Sequence, residues 1–411
     1  MIANLKSKLK TMSSNCPSNE IITKPVDLLV DRGDFGGIVI QGTHGEFVLK
    51  RTVYAFNSYY GNIPLSDLLS ATFQDIQWWT RLDGDISLED IIFLDTETTG
   101  LAGGTGTIAF LIGLGYITKD GLVVEQYLMR DFDEELPMLT AVMDVLQRYK
   151  VLVTFNGKSF DWPLLESRII YSRLRSISWE DAHLDLLHTA RRLWSMRLDS
   201  CSLISLEENI LGKNRIGDIS GALIPNIYLD YLNTRKPDDM LQVIQHNEWD
   251  IIAMAAILAH ITGLYNNHSD RCDAYELYGI ARDLEREQRI TEAAACYRAC
   301  IDAAEKSSLL MEAKKRLGYL LKRHEGPQVA VSLWLDLAVR EGNLLIFPLI
   351  EMAKFLEHKE KDYLCAFDYT EKALEIIDVG KGTVSDRLKH ELLNRKQRLI
   401  KKMERTEQLW G

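Results

Sequence analysis

The chain has 411 residues, which at about 150 residues per domain points to two or three domains. Its 48 Lys and Arg stand against 59 Asp and Glu, a net charge of −11. The molecule as a whole is therefore repelled by phosphate polymers and anionic membranes, and a nucleic acid has to be held by a local basic surface or by metal ions. With 46% hydrophobic and 26% charged residues the composition is that of a globular protein, which excludes overall disorder and collagen-like structure.

The first residues, Met1 to Met12, alternate apolar side chains with lysines and contain no signal-peptide apolar stretch, so they read as a short amphipathic arm. Asp31 to Phe56 alternates glycine-rich turns with strand-like segments. Leu65 to Thr80 reads as a helix containing Trp78 and Trp79. These elements are too few to bury a core alone, so residues 1–89 are predicted to be a partly flexible lead-in that packs on the next domain.

From Ile91 to Asn156 short apolar runs are punctuated by glycine: 91–95, 108–117, 122–129 and 151–156. Their length and β-branched content predict strands. Glu135 to Tyr149 and Asp161 to Leu174 carry apolar residues at helical spacing, and a long helix is predicted from Asp238 to Thr262. This order predicts an α/β mixed sheet with flanking helices over 90–265. No apolar run approaches the ~20 residues of a membrane span, Ile251 to Leu258 being too short. The six cysteines form no C-x-x-C pair. A cytoplasmic protein with free thiols is the expectation.

Residues 266–411 read as helices only. Ala293, Ala330 and Ala366 recur at 37 and 36 residues, each followed by Tyr297, Trp334 or Tyr369. That spacing predicts an all-α tetratricopeptide-like repeat domain, with an ordinary helical bundle as the alternative. Leu317-Gly318, Ala281 and Ala353 supply small positions, and Cys296 and Cys300 are expected as small core residues. The last helix, about Ser385 to Gln408, has eight Lys or Arg between Arg387 and Arg405 against two Glu. It either caps the array or forms a basic patch.

The chemistry-bearing segment is FLDTETTGL at 93–101. Residues two apart on a strand share a face, so Asp95 and Glu97 point the same way and repel one another unless a cation intervenes. Solvated strand-end acids are the alternative. A second segment, Asn156 to Asp161, follows a strand and opens a helix, which places Asp161 at a helix N-terminus beside a strand end; an ordinary N-cap is the alternative. A third, His246-Asn-Glu-Trp-Asp250, puts His246 and Asp250 on one helix face.

Taken in order, these segments resemble the DEDD superfamily of 3′–5′ exonucleases on the ribonuclease H-like fold, and in particular the YprB-type ribonuclease H-like domain that carries tetratricopeptide repeats after it. The likeness spans about 90–265. The resemblance implies Asp95, Glu97, Asp161 and Asp250 as metal ligands and His246 as general base. It implies Thr98, Thr99, Leu101, Asn156 and Phe160 as contacts to the substrate; Lys158 suits a phosphate contact or a solvated loop position. His183 to Trp194 resembles the fifth strand and following helix, with Asp185 outside the ligand set. In the histidine branch the base precedes the last aspartate by five residues, whereas here the separation is four, as in the tyrosine branch.

Four carboxylates suit two Mg2+ or Mn2+ ions roughly 4 Å apart, which activate a water and stabilise the leaving oxygen. The implied function is metal-dependent 3′–5′ exonuclease activity in DNA repair, on single-stranded DNA with a 3′ end, with a DEAD/DEAH-like helicase as partner and a nucleoid-associated location. An exoribonuclease of RNA processing and a non-catalytic repeat scaffold are the alternatives. Gly103 to Gly106 lacks the ending of a nucleotide loop and reads as a turn. Trp162 suits a base stack or the core. Arg191, Arg192, Arg197 and Arg215 suit phosphate contacts or surface salt bridges.

Overall fold

The computed structural model describes residues 35–70, 86–100, 106–179, 182–266, 272–305, 307–340, 346–379 and 386–410. Leu101, Trp78, Trp79 and most of the glycine turn at 103–106 lie outside them. The chain divides into two compact units, Met1–Asn267 and His268–Gly411.

The first unit is built on a seven-stranded mixed sheet. Its strands are β1 (Ile38–Gly42), β2 (Gly45–Tyr54), β5 (Ile91–Thr98), β6 (Ala109–Thr118), β7 (Gly121–Leu128), β8 (Val151–Thr154) and β9 (His183–Asp185), in the order β1-β2-β7-β6-β5-β8-β9. A separate short pair, β3 (Tyr59–Tyr60) and β4 (Ile63–Pro64), lies between β2 and β5 in the chain. The strands from β1 to β5 run antiparallel to their neighbours, whereas β8 and β9 run parallel to β5. Parallel strands are covered on both faces, which is why Val151–Thr154 is apolar enough to be wholly buried. The glycine-rich N-terminal segment supplies two strands of this sheet, Val48 pairing with Leu128 and Tyr54 with Leu122.

Five longer helices flank the sheet: α1 (Glu135–Leu146), α2 (Asp161–Tyr171), α3 (Leu186–Trp194), α4 (Ile224–Thr234) and α5 (Asp238–Asn266). β8 stops at Thr154, short of the expected 156, because Asn156 takes a left-handed φ of 65° and turns the chain. α2 ends at Tyr171 rather than 174, since Arg173 has φ 59°. α5 begins with Asp238 and Asp239, favourable at a helix N-terminus. It is buried all round from Ile251 to Ala259, which explains the absence of a polar face there.

α5 comes close to the sheet because two strand residues have no side chain. Gly113 and Gly115 share one face of β6, and Asn247 and Ile251, one helical turn apart, sit over them. A methyl on Gly115 would lie 2.5 Å from Ile251 Cγ2, and one on Gly113 would collide with the Asn247 amide.

The second unit consists of helix pairs: α6 (Ala274–Arg286) with α7 (Ile290–Ala303), α8 (Ser307–His324) with α9 (Pro327–Arg340), and α10 (Ile346–Phe355) with α11 (Tyr363–Val379), followed by α12 (Asp386–Trp410). The recurring residues form its interior: Ala293, Tyr297, Ala330, Trp334 and Ala366 are all fully buried. Gly318 lets α8 approach the indole of Trp334, and a side chain there would overlap it. Cys296 and Cys300 are buried on α7. The basic residues of α12 mostly meet acids of the preceding helices: Arg395, Arg398 and Lys402 meet Glu357, Lys396 meets Glu371, and Lys389 meets Asp378. That is the chemistry of a cap rather than of an open patch. Among the described residues no helix is long and apolar enough to cross a membrane.

Candidate active site

β5 ends in alternating acids and threonines. Its register pairs Asp95 with Gly113 and Glu97 with Leu111, and a bulge follows between Glu97 and Thr98. The strand period sends Asp95 and Glu97 to the α5 face and Thr96 to the other. Thr96 Oγ1 donates to Asp161 Oδ1 at 2.6 Å, which fixes the first residue of α2 at the end of β5. Asn247 Nδ2 donates to Asp95 Oδ2 at 2.7 Å, made reachable by the missing side chain at Gly113. Asn247 in turn accepts from Gln126 Nε2 at 2.9 Å, and Gln126 also bonds the Ile244 carbonyl at 2.7 Å. Lys50 and Tyr54 of β2 both bond Glu248, at 2.6 and 2.9 Å. This network leaves little freedom for α5 to slide, since each buried polar group has its partner.

Asp95, Glu97, Asp161 and Asp250 are brought together from β5, α2 and α5, within electrostatic reach of one another. Burial raises the Asp95 carboxyl well above its ordinary value, and the neighbouring Asp250 and Asp161 push it further. Glu97 is raised by burial and then by Asp95, Asp250 and Asp161. Burial lifts Asp161 to about 6 although the Thr96 bond opposes it. Burial is the first cause of all three shifts, and for Asp95 and Glu97 the neighbouring acids add to it.

Among the described residues the cation in reach is Arg215, a residue expected on the surface if it formed an ion pair. Its side chain is only 3% exposed, and it pairs with Asp250 at 2.5 Å, Glu207 at 2.7 Å and Asp218 at 3.2 Å. Glu207 also accepts from the Tyr60 hydroxyl. Asp218 Oδ1 lies 2.7 Å from His246 Nδ1, while His246 Nε2 is 3.7 Å from Asp250 Oδ2. The imidazole is thus oriented from behind, with Nε2 turned toward the acids. Tyr60, Glu207 and Asp218 went unread in the sequence, and Arg215 was read as a phosphate contact or a surface salt bridge, because their pairings join strand β3, a short helical segment and turns that lie far apart in the chain. The only local signal was a charged run beside Gly212 and Gly217.

The remaining predicted contacts fall into two groups. Asn156 and Lys158 are exposed and Phe160 is half-buried, all on the loop before Asp161. Asp185 holds this loop by accepting from the backbone N–H groups of Asn156 at 2.8 Å and Lys158 at 3.1 Å, and it caps α3 through Leu187 N at 3.1 Å. The Thr98 and Thr99 hydroxyls are engaged locally, with the Gly100 carbonyl and the Ile108 N–H. Trp162 packs edge-on against Trp179 and belongs to the core. Arg191 and Arg197 are exposed, and Arg192 bonds Thr189 at 3.0 Å.

The donor set is one of hard oxygen ligands, buried and close enough for Asp95 and Glu97 to be repelled by their acidic neighbours; both fit a divalent cation. Among the described residues no three acids or histidines are gathered at ligation distance. Asp95, Asp161 and Asp250 are instead tethered to Asn247, Thr96 and Arg215.

A sequence model of the RNase H superfamily matches residues 92–262, so the chain carries a domain of that superfamily, a nuclease-type fold. YprB of Bacillus subtilis (strain 168) is 31% identical over 290 residues, 69% of this chain and 69% of that protein. The chain belongs to the YprB family. Among solved structures, the family B DNA polymerase from the hyperthermophilic archaeon Pyrobaculum calidifontis aligns with 57% of this chain and 30% of its own, at 14% identity and a TM-score of 0.35.

Proposed function

We propose that the protein is a metal-dependent 3′–5′ exonuclease acting on single-stranded nucleic acid, DNA by preference. The observation that carries this is the convergence of Asp95, Glu97, Asp161 and Asp250 at the end of β5, with three of them pushed toward protonation. Divalent cations, Mg2+ or Mn2+, bound by these carboxylates would supply activation of a water and stabilisation of the leaving oxygen. His246 takes the proton of the attacking water at Nε2, while Asp218 holds the N–H on Nδ1. Arg215 fixes Asp218 and Asp250 relative to each other and so sets where Nε2 points. The direction of attack, a role in repair and a helicase that delivers the strand rest on the resemblance of the motifs; a tetratricopeptide-like unit over 266–411 is the surface for such a partner.

The test is hydrolysis of 3′- and 5′-labelled single-stranded DNA and RNA with Mg2+ or Mn2+, repeated with Asp95→Ala and Asp250→Ala. Nucleoside 5′-monophosphates released from the 3′ end, and lost in both variants, are the expected result. Equal activity in the variants sinks the assignment. RNA cleaved in preference to DNA makes it an exoribonuclease. Metal-dependent thermal stabilisation without turnover makes it a scaffold.

A further inference from the structure

The match to the RNase H superfamily begins at residue 92, yet a buried chain of bonds ties Asp250 and His246 to a residue well before it. Tyr60 stands on β3, in the short hairpin between β2 and β5, and is only 5% exposed. Its hydroxyl donates to Glu207 Oε1. Burial, and then the charge of Glu207, raise the phenol above its ordinary range, so the proton stays on the tyrosine and the hydroxyl remains a donor. Arg215 faces both oxygens of the same carboxylate, Nε donating to Oε1 at 2.9 Å and Nη2 lying 2.7 Å from Oε2. Its Nη1 and Nη2 reach Asp218 at 3.2 Å and Asp250 at 2.5 Å, and Asp218 holds His246 Nδ1 at 2.7 Å.

The hairpin is seated on the segment that carries Glu207. The Asn62 N–H donates to the Leu211 carbonyl at 2.7 Å, at the end of the helical turn Glu207–Leu211. Glycine is needed on both sides of this approach. A methyl on Gly61, at φ 58°, would lie 2.1 Å from the Leu211 oxygen, and one on Gly212, at φ 67°, would lie 2.3 Å from Asn62 Nδ2. The hairpin therefore has one seat, and Tyr60 enters the interior from it. A guanidinium is planar, with its donors in a fixed fork, so the angle of the Glu207 carboxylate decides where the nitrogens that hold Asp218 and Asp250 point. Tyr60 and Arg215 share Oε1 of that carboxylate, and the hydroxyl limits how far it can turn. In a buried network each bond leans on the next, and loss of one donor is felt along the chain.

We propose that the β3–β4 hairpin is part of the catalytic unit, with Tyr60 and Glu207 as positioning residues that act through Arg215 to set Asp250 and His246 relative to each other. The proposal rests on the exonuclease function given above. It extends the working unit to residues before the matched domain, and assigns the segment between β2 and β5 a task beyond packing.

The experiment compares the full chain with Tyr60→Phe, Glu207→Gln and, as a control on the same hairpin, Tyr59→Phe, whose side chain is exposed. Hydrolysis of a single-stranded oligothymidylate with Mn2+ is measured alongside NMR spectra of the metal-free proteins carrying isotope-labelled histidine, with His246 assigned by its loss in His246→Gln. In Tyr60→Phe kcat is expected to fall about tenfold with KM unchanged, and in Glu207→Gln further. The His246 ring nitrogens are expected to shift in both variants, and Tyr59→Phe to match the wild type in both readouts. A wild-type kcat in Tyr60→Phe with His246 unmoved overturns the proposal. So does a lost kcat with a lowered melting temperature and His246 unmoved, the mark of a merely structural role. A wild type that hydrolyses nothing removes the exonuclease function; the His246 signals then decide alone, a shift in Tyr60→Phe sustaining the link from the hairpin and its absence overturning it.

Discussion

Two buried acidic sites in this chain are treated in opposite ways. In the helical unit Glu357 is fully buried and surrounded by cations: Arg395 at 2.8 Å, Arg398 at 2.7 Å and Lys402 at 2.8 Å. They hold its carboxyl down to about 2 against the cost of burial. At the end of β5 three carboxyls are raised instead, with one guanidinium among the described residues, that of Arg215, bonded to Asp250. The first arrangement spends its charge on joining α12 to the turn after α10. The second keeps charge uncompensated, a state that costs stability and is useful only if something positive comes from outside.

Removing one acid from each site should break the symmetry most visibly. Asp95→Asn is expected to lower hydrolysis by roughly 10³-fold and to raise the melting temperature in EDTA, because a repelled buried charge is gone. Adding Mn2+ should then stabilise the wild type, by about 2.7 kcal/mol at a hundredfold excess over Kd, and leave the variant unmoved in a thermal scan. Glu357→Ala should do the reverse, destabilising the helical unit by about 3–5 kcal/mol since three cations lose their partner. Urea unfolding followed by circular dichroism reads that loss.

Between these lies Gly113→Ala. The added methyl collides with Asn247 and pushes the amide off Asp95. A destabilisation of about 1–3 kcal/mol is expected, with kcat falling more than KM rises; an unchanged kcat would show that Asn247 does not set the position of Asp95. The smallest effect is a difference in pH dependence. Glu357, lowered from 4.5 to about 2, contributes stability that is present above pH 4.5 and lost as pH falls through 2. Asp161, raised from 3.8 to about 6, contributes stability that is present below pH 3.8 and lost as pH rises through 6. Melting curves of Glu357→Gln and Asp161→Asn against wild type across pH 2–7 should diverge in opposite directions.

What could be read without coordinates was local. Glycine-bounded apolar runs located β5 to β8, and the 3.6-residue pattern located α1, α2 and α5, because those signals come from residues near one another in the chain. The ends were missed where a left-handed residue intervened, as at Asn156 and Arg173. Asp95, Glu97, Asp161, His246 and Asp250 are weak signals one by one and stood out through the order of their segments, which resembles the motifs of the DEDD exonucleases. Glu207, Asp218 and Tyr60 did not, and Arg215 was read only as a phosphate contact or surface salt bridge, since their meaning lies in pairings across many residues that no periodicity encodes. The joining of β2 to β7 is of the same kind: the pairing of Val48 with Leu128 depends on a register set by the whole sheet.

The two glycines of β6 carry a consequence for how the site responds to change. Asp95 and Glu97 ride on the sheet, whereas His246 and Asp250 ride on α5, and the gap between those bodies is set where Gly113 and Gly115 meet Asn247 and Ile251. The gauge of the gap between the two sets of residues is therefore the absence of two methyl groups. Bulk added there acts as a shim, widening the spacing between the two halves of the site while every acid stays intact.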